Sequence, residues 1–508
     1  MTPALTPDTM LRLILNSRVY DVARETPLEL APRLSRRLRN DVLLKREDLQ
    51  PVFSYKLRGA YNCIAHLSDA ERAKGVIAAS AGNHAQGVAY AARHLGLRAL
   101  IVMPQTTPEI KVQAVRDLGA EVVVWGDTYA DAKAHCDQLV AATGSVLVHP
   151  FDDPLVIAGQ GTIGGEVLRH SPGNVSAIFA PVGGGGLIAG IASYVKAVRP
   201  EIRVIGVEPF EADAMYRSLE AGRRVVLDRV GIFADGVAVR EVGALTFPIV
   251  QAAVEEIVRV SNDEICAAIK DIFDETRSIV EPAGALAIAG LRSWVERTGA
   301  TGERLVAILS GANMNFDRLR FVAERAELGE AREALFGVTI PERPGAFREF
   351  CAAIGRRIVT EFNYRLSGRD QAHIFVGIGT QSRQDAADLA ATLNQRGYRT
   401  IELTDNEVAK LHVRYMVGGR SDDVTNEQIC RFEFPERPGA LMAFLDELGG
   451  RWNISLFHYR NHGADFGRVL AGFEVPVSEL DRFEAFLNGL GYRYQRERQN
   501  PAYDLFLS

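Results

Sequence analysis

The chain has 508 residues, of which 47% are hydrophobic and 24% are charged, and this composition is typical of a globular protein with a large core. The formal charge of −6 argues against a nucleic-acid or anionic-membrane partner, because either would favour a strongly basic face. Length alone predicts roughly three domains, at about 150 residues each.

The five cysteines stand far apart and lack the paired spacing of a zinc site or a disulfide framework, which favours a reducing compartment and predicts no metal centre. The amino-terminal stretch lacks the features of a secretory signal. No apolar run approaches the roughly 18 to 20 residues that span a membrane. We therefore expect a cytoplasmic protein, or an organelle protein whose targeting segment has been removed.

The sequence PVFSYKLRGAY, at 51–61, places a lysine between an aromatic and an aliphatic residue at the start of a predicted helix. Packing of Tyr55 and Leu57 would remove water from Lys56, and a partly desolvated lysine has its neutral, nucleophilic form favoured. The stretch therefore indicates a reactive amine, although by itself it fits an ordinary surface lysine equally well.

Short apolar runs alternate with amphipathic stretches from about residue 20 to residue 322. This alternation is typical of parallel strands with crossover helices. We expect one doubly wound α/β unit in two lobes, within a domain at 1–325 that has a smaller lobe inserted at about 50–150. Ligands bind such sheets at the carboxyl ends of strands. Three of the predicted turns there are rich in small and polar residues: SAGNHAQG at 80–87, VGGGGLIAG at 182–190 and SGAN at 310–313.

After about residue 328 the chain contains an internal repeat. The hexapeptide PERPGA occurs at 341–346 and again at 435–440, an offset of 94 residues. VTEFNYR at 359–365 matches ISLFHYR at 454–460 with an offset of 95, so one residue has been inserted. A strand, a Pro-Gly turn, a helix and a second strand, repeated once, predict two small α+β modules. The residues alone fit oligomerising modules and ligand-sensing modules equally well.

Four consecutive glycines, Gly183, Gly184, Gly185 and Gly186, follow a predicted strand and precede a predicted helix. Glycine permits positive φ, so several N–H groups can point at one anion beside the helix, and a phosphate is the expected ligand. The loop also fits the dinucleotide pattern G-x-G-x-x-A, with Glu208 near the position of a ribose-binding acid. The loop alone does not distinguish a dinucleotide site from a site for another phosphate-bearing cofactor.

The other two turns favour pyridoxal phosphate. Asn83 provides an amide that could donate to the phenolic oxygen of this cofactor, and Ser80, with the N–H groups of the following helix, could hold a substrate carboxylate. Ser310 stands at a predicted strand end, where its hydroxyl could face the pyridine nitrogen. A neutral partner leaves that nitrogen unprotonated, which suits elimination at the β-carbon more than transamination. For His84 we predict a backbone or capping role rather than that of a general base.

The stretches FSYKLRGAY, SAGNHAQG, VGGGGL and LSGAN, in this order, together resemble the fold-type II pyridoxal phosphate enzymes. Within that class the chain resembles the threonine dehydratases of isoleucine biosynthesis over nearly its whole length. The PERPGA repeats resemble the paired ACT-like regulatory modules of the long, allosteric form, here at 333–406 and 412–508. The resemblance implies pyridoxal 5'-phosphate as cofactor and conversion of L-threonine to 2-oxobutanoate and ammonia, with some L-serine dehydration. It also implies inhibition by isoleucine, antagonism by valine, and a homotetramer.

The resemblance also implies roles for individual residues. Lys56 would be the Schiff-base lysine and the base at the α-carbon, with Tyr55 packed beside the cofactor. Asn83 would pair with the phenolic oxygen, the glycine loop with Leu187 would bind the phosphate, and Ser310 would pair with the pyridine nitrogen. The substrate would contact Ser80, Asn83 and His84. The effector is expected near the Pro-Gly turns, at Gly345, Ala346, Phe347, Gly439, Ala440 and Leu441.

Two departures disfavour a racemase of the same class. The racemases carry a serine before the Gly-Asn pair, where this chain has Ala81. They also carry a carboxylate six residues after the acid that matches Glu208, where this chain has Ala214, so a divalent-metal site is disfavoured while a monovalent cation remains compatible. The alternatives are another fold-type II lyase or a serine racemase-like enzyme. Outside this class, they are an NAD-dependent enzyme and a non-catalytic amino-acid sensor.

Overall fold

The structure is a computed structural model, and it describes residues 6–171, 173–330, 332–341, 346–355, 357, 359–365, 371–415, 426–435, 444, 447, 451–460, 466–497 and 500–506. The chain divides into two compact units, Met1–Val322 and Ala323–Ser508. Within the described ranges, none of the helices combines the length and the apolarity that a membrane crossing requires.

Ten strands of the first unit form two sheets. They are β1 Leu28–Leu30, β2 Asp41–Lys45, β3 Val76–Ala79, β4 Ala99–Met103, β5 Glu121–Val124, β6 Val146–Leu147, β7 Ala177–Pro181, β8 Arg203–Pro209, β9 Glu256–Val260 and β10 Arg304–Ile308. The larger sheet has the order β1-β2-β10-β7-β8-β9 and is parallel except at the edge strand β1. The smaller sheet has the order β5-β4-β3-β6 and is parallel throughout.

Each sheet contains one point where the strand order reverses. In the larger sheet the chain runs from β7 through β8 to β9 on one side, whereas β10 lies on the other side of β7. In the smaller sheet it runs from β3 through β4 to β5, and β6 lies on the other side of β3. These reversals are the places where doubly wound sheets bind ligands. The predicted α/β fold class is confirmed.

Helices join the strands of the first unit. They are α1 Pro7–Leu15, α2 Pro32–Leu38, α3 Lys56–Ala65, α4 Asp69–Arg72, α5 Asn83–Leu95, α6 Glu109–Asp117, α7 Tyr129–Thr143, α8 Pro154–His170, α9 Gly186–Val198, α10 Ala214–Ala221, α11 Thr246–Ala253, α12 Asn262–Thr276, α13 Pro282–Thr298 and α14 Arg318–Gly329, which crosses into the second unit. Helices α4, α7 and α12 begin with capping boxes, in which the hydroxyl of Ser68, Thr128 or Ser261 accepts a backbone N–H while an acid three residues on accepts in return.

The second unit consists of the two repeated modules. Its strands are β11 Glu333–Pro341, β12 Val359–Arg365, β13 Gln371–Gly379, β14 Arg399–Glu402, β15 Glu427–Pro435, β16 Asn453–Arg460, β17 Phe466–Glu474 and β18 Arg493–Arg496; its helices are α15 Ala346–Ile354, α16 Arg383–Gln395, α17 Glu407–Leu411, α18 Leu480–Gly489 and α19 Pro501–Phe506. The sheets have the orders β12-β13-β11-β14 and β16-β17-β15-β18 and are antiparallel. Both have a register shift at the same place, in β12 and in β16. The predicted pair of α+β modules is confirmed.

A shared hydrophobic core joins the two modules. Each module has its own buried cluster of aliphatic and aromatic residues. A third cluster contains residues of both: Leu335 and Phe375 from the first sheet lie in it with Ile429 and Leu470 from the second. The modules therefore bury apolar surface against each other.

In the first unit, α8 and α9 approach so closely that glycine is required between them. A Cβ built on Gly190 would lie 2.4 Å from the carbonyl oxygen of Ile157 and 2.6 Å from the backbone nitrogen of Gly161. Both atoms belong to the backbone of a long helix and have no rotamer to change. This contact brings α9, which begins in the glycine loop, against the helix that follows the smaller sheet.

We predict that Gly190→Ala destabilises the protein by about 1–3 kcal/mol, because the methyl group overlaps backbone atoms in a filled interior. Thermal unfolding of the purified protein measures the effect. Val198→Ala is the control, since Val198 lies on the same helix and is 48% exposed. Equal melting temperatures for the two variants would contradict the prediction.

Candidate active site

Three of the four predicted motifs follow strands that flank the two points of reversal. Asn83 begins α5 directly after β3, the glycine loop follows β7, and Ser310 follows β10. Lys56 is the first residue of α3, and backbone hydrogen bonds hold it beside the Ser310 turn. Tyr55 N–H donates to the carbonyl of Ser310 at 3.2 Å, and Ser54 forms an isolated bridge with Gly311.

The Asn83 turn is joined to the same place by side-chain hydrogen bonds. Asn313 Nδ2 donates to Asn83 Oδ1 at 2.7 Å and to the carbonyl of Val52 at 2.9 Å. Asn83 Nδ2 donates to Glu281 Oε1 at 2.5 Å. The lysine stretch, the Asn83 turn and the serine turn therefore form one site.

The glycine loop closes another side of this site. Gly183 of this loop packs against the backbone of Val237. The preceding residue, Gly236, lies close to the Asn83 turn: a Cβ built on it would be 2.9 Å from Cβ of Ala283 and 3.9 Å from Asn83 Nδ2. Gly185 has φ 94° and precedes α9, which no side chain caps. A 13-residue helix whose first turn is uncapped favours an anion there.

The loop is packed so tightly from behind that no side chain fits on it. A Cβ on Gly184 would lie 2.3 Å from the ring of Phe151, and one on Gly185 would lie 2.8 Å from Met215 Cε. Its backbone, followed by the buried Leu187, is therefore the surface that a phosphate group would meet. Together with a lysine amine nearby, this donor set fits pyridoxal phosphate.

The charge on Lys56 is disfavoured by its surroundings. Burial lowers the pKa of Lys56 to about 8, although the carboxylate of Glu281 opposes the shift. Its Nζ lies 5.6 Å from the centre of the Tyr55 ring. Burial raises the pKa of the Tyr55 hydroxyl, and none of the described residues hydrogen-bonds to that hydroxyl. Lys56 is half-buried, so the partial desolvation predicted for it is present.

A buried ionic network anchors the helix that carries Lys56. Arg58 pairs with Glu47 at 2.8 Å and with Glu166 at 2.5 Å, and Lys45 Nζ lies 2.5 Å from Glu166 Oε2. All four side chains are completely buried. The two positive charges are compensated by two negative charges, and buried charges are tolerated only when they are paired in this way. The network connects α3 to β2 and to α8.

The imidazole of His84 is held as a neutral group. Its Nε2 donates to the carbonyl of Val148 at 2.8 Å, and its Nδ1 has no hydrogen-bond partner among the described residues. Burial, helped by the nearby Lys56, lowers the pKa of His84 to about 3. The side chain does not cap α5, whose N-cap is Gly82. In this state Nδ1 can accept a hydrogen bond, and the ring has no second N–H group to donate.

The two serines differ in their surroundings. Ser80 Oγ accepts the N–H of Gly82 at 3.3 Å, and no side chain caps α5 beyond it, so this end of the helix favours a carboxylate. Ser310 is 3% exposed, and its Oγ donates to the carbonyl of Ala283 at 3.3 Å. Both hydroxyls lie where the sequence predicts them, at the ends of β3 and β10.

Sequence reasoning missed Glu281. The residue is 4% exposed, and burial together with the nearby Asp235 raises the pKa of Glu281 to about 7. Asp235 in turn lies 2.7 Å from Lys111 Nζ. One signal was present in the sequence: glutamate is an unfavourable N-cap, yet it stands directly before Pro282, where α13 begins.

Glu208 is not available to a ribose. It is completely buried, and its two oxygens accept the N–H groups of Met215 at 2.9 Å and Tyr216 at 2.8 Å, at the start of α10. Burial raises the pKa of Glu208 to about 8. Glu208 therefore cannot bind the ribose of a dinucleotide, which was the role that the dinucleotide alternative gave it.

The expected effector residues Gly345, Gly439, Ala440 and Leu441 lie outside the described residues. Ala346 and Phe347 begin α15, and their backbone alone is described. The effector assignment therefore stays a prediction.

A family model described as pyridoxal-phosphate dependent enzyme matches residues 19–311. A second, described as the C-terminal regulatory domain of threonine dehydratase, matches residues 324–413 and 418–507. The fold and the site thus define a pyridoxal phosphate enzyme of fold type II, and the predicted cofactor is confirmed.

The biosynthetic L-threonine dehydratase of Burkholderia multivorans is 58% identical over 501 residues, which cover 98% of this chain and 99% of that protein. The chain belongs to the family of biosynthetic threonine dehydratases, as its motifs predict. The processed form of threonine deaminase isoform 2 from Solanum lycopersicum matches 63% of this chain and 93% of its own, with 53% identity and a TM-score of 0.62. Maize serine racemase matches 62% of this chain and 96% of its own, with 31% identity and a TM-score of 0.59.

We predict that the cofactor-free protein reacts with pyridoxal phosphate at a rate that rises with pH and levels off above about pH 9. Only the neutral amine attacks an aldehyde, and the lowered pKa makes Lys56 half neutral at about pH 8. An ordinary lysine, with a pKa near 10.4, would still gain reactivity at pH 9.

The measurement is the rate at which visible absorbance appears after mixing, between pH 6 and pH 10. A soluble lysine derivative measured in parallel corrects for titration of the cofactor itself. A protein profile that followed the soluble amine would contradict the lowered pKa.

Proposed function

We propose that the protein deaminates L-threonine to 2-oxobutanoate and ammonia, with pyridoxal phosphate held in the site around Lys56. The observation that carries the proposal is the junction of the lysine stretch with the Ser310 turn and the Asn83 turn at the carboxyl ends of the strands. Relatives that are 50–58% identical to this chain are named as biosynthetic threonine dehydratases, which supports threonine as the substrate. Some dehydration of L-serine is expected at the same site.

When bound, the cofactor supplies an aldehyde that accepts amines and a ring that withdraws electrons from the α-carbon. Lys56 would hold the aldehyde of the cofactor, and as a free amine it would remove the α-proton of the substrate. A base works best when its pKa lies near the working pH, and a value of about 8 satisfies that condition. The neighbouring His84 is neutral at that pH and adds no positive charge.

Other residues hold and orient the reactants. The backbone of Gly183, Gly184, Gly185 and Gly186, with Leu187, would bind the phosphate, and Tyr55 would pack beside the ring.

Asn83 would donate to the phenolic oxygen, and Ser310 would turn its hydroxyl toward the pyridine nitrogen. Ser80 and the first turn of α5 would receive the substrate carboxylate, with Asn83 and His84 at the same helix end. A serine at the pyridine nitrogen leaves it unprotonated, which favours loss of the β-hydroxyl over transamination.

The second unit is proposed to inhibit the enzyme when isoleucine binds it, with valine acting as an antagonist. The description of the matching family as a regulatory domain supports a regulatory role. The effector would bind near the Pro-Gly turns at Gly345 and Gly439. The homotetramer and the cytoplasmic location stay predictions.

Lys56→Ala is expected to lower turnover of L-threonine at least about a thousandfold, since a positioned general base contributes up to about 10⁴-fold. The visible absorbance of the bound cofactor should disappear, because no amine holds it. Lys74→Ala, at an exposed position of the same lobe, is the control and should behave like the unchanged protein. Full turnover and unchanged absorbance in Lys56→Ala would contradict the assignment.

A chain that ends at Gly329, which keeps all of α14, is expected to remain active and to lose inhibition by isoleucine. Coupling between such sites is typically about 1–3 kcal/mol, so the full chain should show a several-fold to hundredfold effect. Steady-state rates with and without isoleucine measure it. Inhibition that persisted in the shortened chain would refute regulation by the second unit.

A further inference from the structure

The direction of one chain of hydrogen bonds in the site is fixed by its first member. The carbonyl of Val52 can only accept, so the Asn313 atom 2.9 Å from it is the donor nitrogen. That nitrogen also lies 2.7 Å from Asn83, so the Asn83 atom facing it is the acceptor oxygen. The amide nitrogen of Asn83 must then face the other way.

On that other side the amide meets Glu281. Asn83 Nδ2 lies 2.5 Å from Glu281 Oε1, and the carboxyl group is buried. The amide nitrogen carries two hydrogens, of which Glu281 takes one. One donor of Asn83 is left for a ligand.

The carboxyl group of Glu281 is also held in place. Its own N–H donates to the carbonyl of Gly311 at 3.2 Å. A Cβ on Gly311 would lie 2.5 Å from Glu281 Oε1, and one on Gly236 would lie 3.6 Å from the same oxygen. The absence of a side chain at Gly311 therefore leaves the space that this carboxyl group occupies, and Gly236 packs beside it.

We propose that Glu281 and Asn313 are positioning residues that hold the Asn83 amide with one N–H directed to the phenolic oxygen of the cofactor. The inference rests on the proposed role of Asn83 in the function above. Without Asn313 the amide can rotate and present its oxygen to another oxygen, which repels it. Without Glu281 both N–H groups are unconstrained, and the amide loses its fixed plane.

Outer residues that orient a direct ligand typically change affinity about 10- to 100-fold when they are removed, as is known for metal sites. We therefore expect Glu281→Met and Asn313→Ala each to weaken binding of pyridoxal phosphate about tenfold. Glu281→Gln retains an acceptor of the same shape and should recover most of the affinity. Glu296→Met, at an exposed position of α13, is the matched control.

The decisive experiment is a double-mutant cycle on the full chain. The dissociation constant of pyridoxal phosphate is measured by titrating cofactor-free protein and following the visible absorbance. Circular dichroism in the same band reports the orientation of the bound ring. If Glu281 acts through Asn83, then Glu281→Met in an Asn83→Ala background changes the dissociation constant less than twofold.

Each outcome has a definite meaning. Non-additive effects of Glu281→Met and Asn83→Ala, with a changed dichroism for each single variant, support the proposal. Additive effects overturn it and leave the role of Asn83 intact. Unchanged binding in Asn83→Ala refutes the role of Asn83 itself, and with it the proposal.

If Glu281→Met does not fold, the same double-mutant cycle is measured with Asn313→Ala and Asn83→Ala. This cycle also tests the proposal, because Asn313 contacts the oxygen of the amide whose nitrogen contacts Glu281. Non-additivity there supports the proposal, and additivity overturns it.

Discussion

The position of the reactive lysine depends on charges buried behind it. Arg58 lies two residues beyond Lys56 in α3 and is bound by Glu47 and Glu166, neither of which is exposed. Loss of one partner from such a pair typically costs about 3–5 kcal/mol, because the other charge stays in the interior without compensation. The helix therefore has little freedom to rotate or slide. Lys56 projects from a support that is fixed by electrostatics as well as by packing.

The charges around Lys56 are arranged to leave its amine close to neutrality. The neighbouring imidazole, His84, is neutral because burial and the positive charge of Lys56 lower its pKa, although its hydrogen bond to the Val148 carbonyl opposes that shift. Glu281 is the acid that favours a charged lysine, and its own pKa of about 7 limits that influence near neutral pH. A positive imidazole here would lower the basicity of Lys56, and a fully charged acid would raise it. The site lies between these two limits, as the proposed proton transfer at the α-carbon requires.

The features that the sequence predicts are local, whereas those it does not predict are contacts between residues far apart in the chain. The places of Lys56 and Asn83 at helix starts, of the glycine loop between a strand and a helix, and of Ser310 after a strand are predictable because local patterns reveal them. Glu281 was missed because it meets Asn83 from 198 positions away. That contact depends on β10 lying next to β7 and β2, and no periodicity encodes that order. Asn313 belongs to a predicted motif, but its contact with Val52 is formed only in the folded chain and leaves no local pattern in the sequence.

The hydrophobic cluster shared by the two regulatory modules has a consequence for how they respond. Because Leu335 and Phe375 of one module pack with Ile429 and Leu470 of the other, neither can change its sheet without disturbing its neighbour. An interior packed at crystalline density shifts between discrete arrangements rather than deforming gradually. Two similar halves with one common interior should therefore change together, so that a rearrangement of one sheet is transmitted to the other.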